Sequence, residues 1–389
     1  MRICVVTRDL AEDYKGNFEF DQAVALKEFG HQVYVLSIDV RSVRRKRRFG
    51  FTTSRHKGVE VLRCSLPLGP LSIPLFEKGA EAVFKKGYSR LIKKFGNMDI
   101  IHTHFLDYSF FVLQALEKMK LNIPVVVTEH SSTVNAPLDL LTKDVVEKGN
   151  YVYHKADKVL AVSESLRDVI KENFGVEATV VYNVFDNEIF KLTDKIRNID
   201  YGDKKETIFV SAGNFTLNKR MDLLIKSFVA AFKNDDKYKL IIFGDGPQKE
   251  NLKDLAEALG CQDRVVFMGR KSRMEIAEAY AGADVFALLS EKETFGVSYV
   301  EAMSCGLPVI ACYSGGPENF IIPQVGMLVE ADAEMIGKSF AAMADNLSVY
   351  DREELHKYAS SLCSPKVIAQ KLTYIYKDLI EEKRGFYNG

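Results

Sequence analysis

The chain has 389 residues, of which 47% are hydrophobic, and its 53 Lys and Arg balance 53 Asp and Glu. That length exceeds one ordinary core and leads us to expect two domains, while the balanced charge gives no reason to expect a nucleic-acid partner. The N-terminal apolar run Ile3–Val6 is too short for a signal-peptide core or a membrane span, and the six scattered cysteines lack metal-ligand spacing, so the expected location is the cytoplasm with no metal site.

In the first half, strands are predicted at Ile3–Val6, Val33–Leu36, Val59–Arg63, Ile100–His102, Val125–Thr128, Lys158–Val162 and Thr179–Val181. Several are continuous β-branched runs, the pattern of parallel strands buried on both faces. Apolar residues at three- and four-residue spacing predict helices at Phe18–Phe29 and Ser163–Phe174. After the polar stretch Asn187–Glu206 the alternation restarts, with strands at Ile208–Ala212, Lys239–Phe243, Val265–Met268, Val285–Leu289 and Val309–Ala311. Helices are predicted at Lys219–Phe232, Gln248–Leu259, Arg273–Ala281, Val297–Ser304 and Asp332–Asp345, the last with Asp332 as its N-cap. This order predicts an α/β chain of two Rossmann-like domains, residues 1–186 and 187–365, each with a doubly wound parallel sheet. Open α/β sheets bind ligands beyond the carboxyl ends of their strands, so both sheets are expected to face a cleft.

The most informative segment is Ser290–Glu318. Glu293 falls on the loop after a strand, and Glu301 about two turns into the helix expected to start at Phe295–Gly296. The amides of Phe295, Gly296 and Val297 would be unpaired at that helix start and suit an anion, with Gly296 allowing close approach. Two ordinary glutamates on a surface loop fit these residues as well. Upstream, Ser211–Asp222 forms a strand–loop–helix with Lys219 and Arg220 at the helix start, and Gly244 and Gly269 mark two further strand ends. In the first half, Gly16 and Asn17 follow the first strand, while His102, His104 and His130 end parallel strands. For His102 and His104 a strand-end packing or hydrogen-bonding role is expected.

Read together, these segments resemble the retaining GT-B glycosyltransferases of the family 4, or glycosyl transferases group 1, type. The signature Glu-x-Phe-Gly-x-x-x-x-Glu-Ala appears as Glu293 to Ala302, followed by Cys305-Gly306-Leu307-Pro308 and Gly315-Gly316-Pro317-Glu318. The resemblance implies that Glu293 lies beside the donor sugar, that Glu301 holds the donor ribose hydroxyls, and that Phe295, Gly296 and Val297 meet the diphosphate. It places Lys219 on the diphosphate, Gly16 near the donor phosphates, Gly244 at a donor-side turn, and Gly269 where backbone meets the base. His130 matches the histidine that hydrogen-bonds the donor sugar and shapes the acceptor side. Two positions depart from the pattern: Asn214 stands where an Arg grips the diphosphate, and Arg220 where a Gly is usual. Arg220 is therefore expected to supply the second cation. The closing helix, within residues 366–389, is expected to return to the first domain.

The implied activity is transfer of a sugar from a nucleotide-diphosphate donor to a glycan or lipid-linked acceptor, with retention, without metal or cofactor, in bacterial cell-surface polysaccharide biosynthesis. Retention by front-side attack would need cations at the departing diphosphate, which Lys219 and Arg220 would provide. Other readings are a GT-B epimerase or phosphorylase, and a catalytically silent nucleotide-sugar-binding subunit. A nicotinamide-dependent oxidoreductase would need Gly-x-Gly-x-x-Gly straight after a strand, and neither Ile3–Val6 nor Ile208–Ala212 is followed by one. Finally, Arg41–Lys57 is strongly basic, and Phe76–Phe95 interleaves apolar residues with lysines. Such segments suit peripheral contact with an anionic membrane surface at its inner face, or a solvated loop and an ordinary amphipathic helix.

Overall fold

The computed structural model describes residues 1–8, 10, 18–40, 49–66, 73–194, 206–233 and 235–385. Gly16, Asn17 and the basic residues Arg41–Arg48 therefore lie outside the described residues. The chain divides into two compact units, Met1–Val184 with Pro365–Gly389, and Phe185–Ser364.

The first unit runs β1 (Arg2–Arg8), α1 (Phe18–Glu28), β2 (Gln32–Asp39), β3 (Gly50–His56), β4 (Val59–Ser65), α2 (Ile73–Phe95), β5 (Ile100–His104), α3 (Leu106–Lys118), β6 (Val125–Glu129), α4 (Lys143–Lys155), β7 (Lys158–Ala161), α5 (Glu164–Phe174) and β8 (Thr179–Val180). Its sheet has the order β3-β4-β2-β1-β5-β6-β7-β8. All neighbours pair in parallel except β3, which lies antiparallel to β4 on the edge. The basic stretch Arg41–Lys57 was expected either on an anionic membrane surface or as a solvated loop. Its last part is instead this edge strand, whose residues are half-buried or exposed and so carry no hydrophobic alternation.

The second unit runs β9 (Thr207–Ala212), α6 (Met221–Phe232), β10 (Tyr238–Phe243), α7 (Lys249–Ala258), β11 (Val265–Gly269), α8 (Arg273–Gly282), β12 (Val285–Leu288), α9 (Val297–Ser304), β13 (Val309–Cys312), β14 (Gly326–Val329), α10 (Ala333–Asp345) and α11 (Arg352–Cys363). Its sheet is parallel throughout, in the order β11-β10-β9-β12-β13-β14. Asp332 does cap α10, accepting from the amides of Glu334 and Met335. The last helix, α12 (Pro365–Gly385), belongs to the first unit and packs on α1. There Thr373 meets His31 Nε2 at 2.7 Å and Lys383 reaches Asp157 at 2.9 Å.

Buried Val and Ile fill both sheets, as strands covered on two faces require. In helix α2 the apolar side, including Val83, Phe84, Tyr88 and Leu91, is buried in the first unit. Its exposed side carries Lys78, Lys86, Lys93 and Lys94, with Leu75 exposed near the start of the helix. Among the described residues no helix is long and apolar enough to cross a membrane.

Each sheet has one place where the strand order reverses, and ligands of doubly wound folds bind beyond the carboxyl ends there. In the first unit the reversal falls at β1 and β5, in the second at β9 and β12.

Candidate functional site

In the second unit, the loop leaving β9 and the loop leaving β12 are laced together by Asn218. Its Nδ2 donates to Lys292 O at 3.0 Å, its Oδ1 accepts from Lys292 N at 3.1 Å, and its carbonyl accepts from Glu291 N at 2.8 Å. This brings Lys219 Nζ onto Glu293 Oε1, with the two side chains only 22% and 12% exposed. An isolated β-bridge of Glu293 with Gly315, and donation of the Glu293 amide N–H to Ser314 O at 2.9 Å, hold the glutamate's backbone. Glu318 in turn fixes that loop, accepting from the amides of Ser314 and Gly315 at 2.6 and 2.8 Å.

Lys219 was expected on the first turn of a helix. It closes a 3-10 turn, Leu217–Lys219, and Arg220 then caps α6 with φ 44°. That left-handed residue turns the chain, so the helix begins at Met221. Arg220 faces Glu291 at 3.5 Å. Asn214 is exposed on the same loop.

Helix α9 starts at Val297 with Gly296 as its cap, at φ 96°. A Cβ there would sit 2.6 Å from the Tyr299 ring, whose hydroxyl donates to Leu288 O at 2.7 Å and seats the helix on β12. Glycine is thus required by the helix's own packing, a reason the sequence reading did not contain. Phe295 is buried against Phe320, with ring centroids 5.2 Å apart, and can offer only its backbone. Helix α9 spans Val297–Ser304, the range predicted from spacing, so Glu301 lies about one turn into it and not the two that a start at Phe295–Gly296 would give. Its Oε1 accepts from Arg273 at 3.0 Å, both side chains being 14% exposed, and the Arg273 guanidinium stands 5.3 Å from the Phe190 ring centroid. Arg273 and Asn218 escaped the sequence reading, since their partners are 28 and 74 residues away.

Gly244 locks the neighbouring strand ends. At φ 146° its added Cβ would fall 1.9 Å from Gly213 O, while its amide donates to Gly269 O at 2.9 Å.

In the first unit, a pocket of about 310 Å³ opens at the strand-order reversal, lined by Arg8, Phe105, Tyr108, His130, Ser131 and Thr133 among others. Phe105 holds φ 68° and ψ 144°, a costly conformation for a bulky residue and one that marks functional sites. The Arg8 guanidinium lies 3.7 Å from its ring centroid, and His130 packs on Phe18 and Phe105 at 4.8 and 4.9 Å. The turn after β6 is set by Glu129, fully buried, which accepts from the amides of His130 and Ser131 at 2.9 and 2.8 Å and from Tyr153 Oη at 2.8 Å. Burial pushes its carboxyl pKa up, and the two amides and the phenol oppose this.

His102 meets Tyr376 Oη at 2.5 Å and Thr128 Oγ1 at 2.6 Å, a packing role that fits its position. Burial drives its pKa down to about 3. His104, expected in a strand-end packing or hydrogen-bonding role, places its Nδ1 2.9 Å from His130 Nε2. Burial holds both of these rings well below the ordinary histidine pKa; His102, His130 and Arg8 add to the depression of His104, and Arg8 and His102 to that of His130.

Comparison with known proteins adds the family. The profile described as Glycosyltransferase Family 4 matches residues 17–189, and that described as Glycosyl transferases group 1 matches residues 193–361. The chain is 29% identical over 307 residues to N-acetyl-alpha-D-glucosaminyl L-malate synthase of Bacillus anthracis, covering 74% of this chain and 77% of that one. It is 26% identical over 337 residues to alpha-monoglucosyldiacylglycerol synthase of Streptococcus pneumoniae, covering 82% and 72%. Among solved structures, sucrose-phosphate synthase from Thermosynechococcus elongatus superposes with a TM-score of 0.80 at 19% identity, over 98% of this chain and 99% of that one, which shows the shared GT-B fold. Two adjacent family matches, two parallel α/β sheets and the Glu293–Ala302 signature agree, and the chain belongs to the GT-B glycosyltransferases of the group 1 and family 4 type.

Proposed function

We propose that this glycosyltransferase moves a hexosyl group from a nucleotide-diphosphate sugar to a glycan or lipid-linked acceptor, with retention and without a metal ion, in cell-surface polysaccharide or glycolipid assembly. The observation that carries the reading is the pairing of Lys219 with Glu293 at the strand-order reversal of the second unit, beside the start of α9. A diphosphate entering there would draw the Lys219 ammonium onto its oxygens, and Arg220 and the first amides of α9 would add to that charge. Glu293, released from Lys219, would then be free to accept from the sugar hydroxyls. Glu301, held at one oxygen by Arg273, would bind the ribose. The departing diphosphate gains negative charge in the transition state, and fixed cations lower that barrier more than they bind the ground state. Acceptor attack on the same face accounts for retention.

The second unit is thus assigned to the donor and the pocket of the first unit to the acceptor. The relatives named for an L-malate and for a diacylglycerol product support small and lipid acceptors alike. The exposed lysines of α2 suit electrostatic contact with an anionic membrane surface at roughly 1 kcal/mol per cation before screening; equal retention on neutral and anionic vesicles would count against this. The transfer itself is tested by release of nucleoside diphosphate from a panel of nucleotide sugars. Turnover of one donor, abolished in Glu293→Gln, is expected. Binding of a nucleotide sugar with no turnover under any acceptor would favour a silent binding subunit.

A further inference from the structure

Donor entry, as read above, breaks the Lys219–Glu293 pair, so that pair cannot join the two loops in the loaded state. Arg220 and Glu291 do not replace it: they stand 3.5 Å apart with the glutamate side chain 52% exposed, a surface ion pair of small worth. Among the described residues, the links that remain between the loop leaving β9 and the loop leaving β12 run to backbone, and they converge on Asn218.

The Asn218 side-chain amide meets the peptide groups of Lys292 as a neighbouring strand would, donating to the carbonyl at 3.0 Å and accepting from the N–H at 3.1 Å. The Asn218 carbonyl accepts from Glu291 N–H at 2.8 Å, and Glu293 N–H donates to Ser314 O at 2.9 Å. Three successive amides, 291 to 293, are thus bonded although Glu291 and Lys292 are exposed. The clasp fixes register. With the Lys292 backbone held, its two neighbours fall on the cations, Glu293 on Lys219 and Glu291 on Arg220. A slip of one residue would bring the Lys292 ammonium to a place that already holds two positive charges. Asparagine suits the task because it offers a donor and an acceptor from one planar group; an aspartate would offer no donor.

We propose that Asn218 is a positioning residue that keeps Glu293 in register with Lys219 and Arg220 while their ion pairs give way to the donor. Its bonds to the Lys292 backbone need not break when a diphosphate draws off the Lys219 ammonium. Glu293 is then presented to the sugar hydroxyls from a place set by the same loop that carries the cations. Lys219 closes the turn Leu217–Lys219 on Asn218's own side of the clasp, so losing the clasp frees Glu293 and leaves the cations where they are. The consequence for transfer rests on the glycosyltransferase reading; the register does not.

Asn218→Ala removes both side-chain bonds and keeps the carbonyl bond to Glu291. Losing two neutral hydrogen bonds near solvent should lower kcat/KM for an active donor roughly tenfold. The dissociation constant of UDP, GDP or ADP, whichever binds, should stay within about twofold, because Lys219, Arg220 and the start of α9 are untouched. In a Glu293→Gln background the same change should cost less than about twofold, since the residue it positions is already disabled. An unchanged kcat/KM in the single variant overturns the proposal. So does a full tenfold loss on top of Glu293→Gln, or a nucleotide affinity that falls in step with turnover. Backbone hydrogen exchange reads the clasp without turnover: the Lys292 amide should exchange roughly tenfold or more slowly in the wild-type chain than in Asn218→Ala. Should that variant fail to fold, the wild-type chain still decides, because a Lys292 amide exchanging as fast as in an unstructured peptide overturns the proposal and a protected one supports it. Protection at Lys292 in a protein that turns over no donor would sink the transferase reading and leave the register standing. An active enzyme with an unprotected Lys292 would sink the register alone.

Discussion

Replacing Arg273 by Ala removes a guanidinium from a pair 3.0 Å apart whose side chains are each 14% exposed. A charge-assisted hydrogen bond of this kind is worth about 1.5–3 kcal/mol, and residual solvent access favours the lower half of that range. Loss of the arginine stem beside Phe190 adds a packing cost of the same sign. The second unit should therefore lose about 2 kcal/mol, which for a unit of this size lowers its melting midpoint by roughly 4–8 °C. Glu301 would keep its carboxylate but lose this restraint, and re-ordering one side chain on binding costs about 0.5–1.5 kcal/mol. Nucleoside diphosphate affinity should then fall roughly two- to tenfold, with kcat at saturating donor nearly unchanged because Arg273 acts through Glu301. Arg273→Lys keeps the charge without the planar fork and should fall between. Differential scanning fluorimetry and titration calorimetry measure both effects. An Arg273→Ala protein with wild-type midpoint and wild-type affinity refutes the reasoning, and a loss confined to kcat refutes the route through Glu301.

Glu293→Gln should reduce turnover by roughly 100-fold or more. Because it also frees Lys219 from its pair, nucleoside diphosphate affinity should hold or rise; weaker product binding with intact turnover would contradict the assignment. Gly244→Ala meets Gly213 O at 1.9 Å with φ at 146°, so the second unit should unfold at markedly lower temperature, and an unchanged midpoint would show that the strand ends are not locked as described. Acid should weaken the first unit. Its folded His102 protonates only at about 3, whereas the unfolded chain does so near 6.5, and His104 and His130 are depressed in the same direction. Below pH 6.5 the unfolded state binds more protons, so stability is full above that pH and falls on acidification by up to about 1.4 kcal/mol per pH unit for each histidine. Urea midpoints that coincide at neutral and mildly acid pH would argue against three neutral buried rings.

The alternation of β-branched runs with helical spacing was legible because strands covered on both faces need continuous apolar residues. What escaped lacked that signal. Strand β3 is an edge strand of half-buried and exposed residues, and β14, Gly326–Val329, opens on a glycine and is only half-buried at Met327 and Leu328, so it lacks the buried β-branched run of the others. Arg220 adopts a left-handed cap without being glycine, so the sequence placed the start of α6 before Met221. Glu293, Glu301, Lys219 and His130 stood out by spacing and resemblance, but their partners did not. Arg273 comes from another helix, and His104 from another strand, through pairings that only the fold creates. The Gly296 cap shows a further limit: its residue type was noticed for an anion, whereas the Tyr299 ring also demands it.

The central claim is retaining transfer from a nucleotide sugar. The most direct measurement is the anomeric configuration of the product, read from the one-bond carbon–proton coupling of its anomeric carbon after reaction with an active donor in excess chelator. The account predicts a product with the configuration of the donor, formed at an undiminished rate and lost in Glu293→Gln. An inverted product, or turnover that requires an added divalent ion, would contradict it.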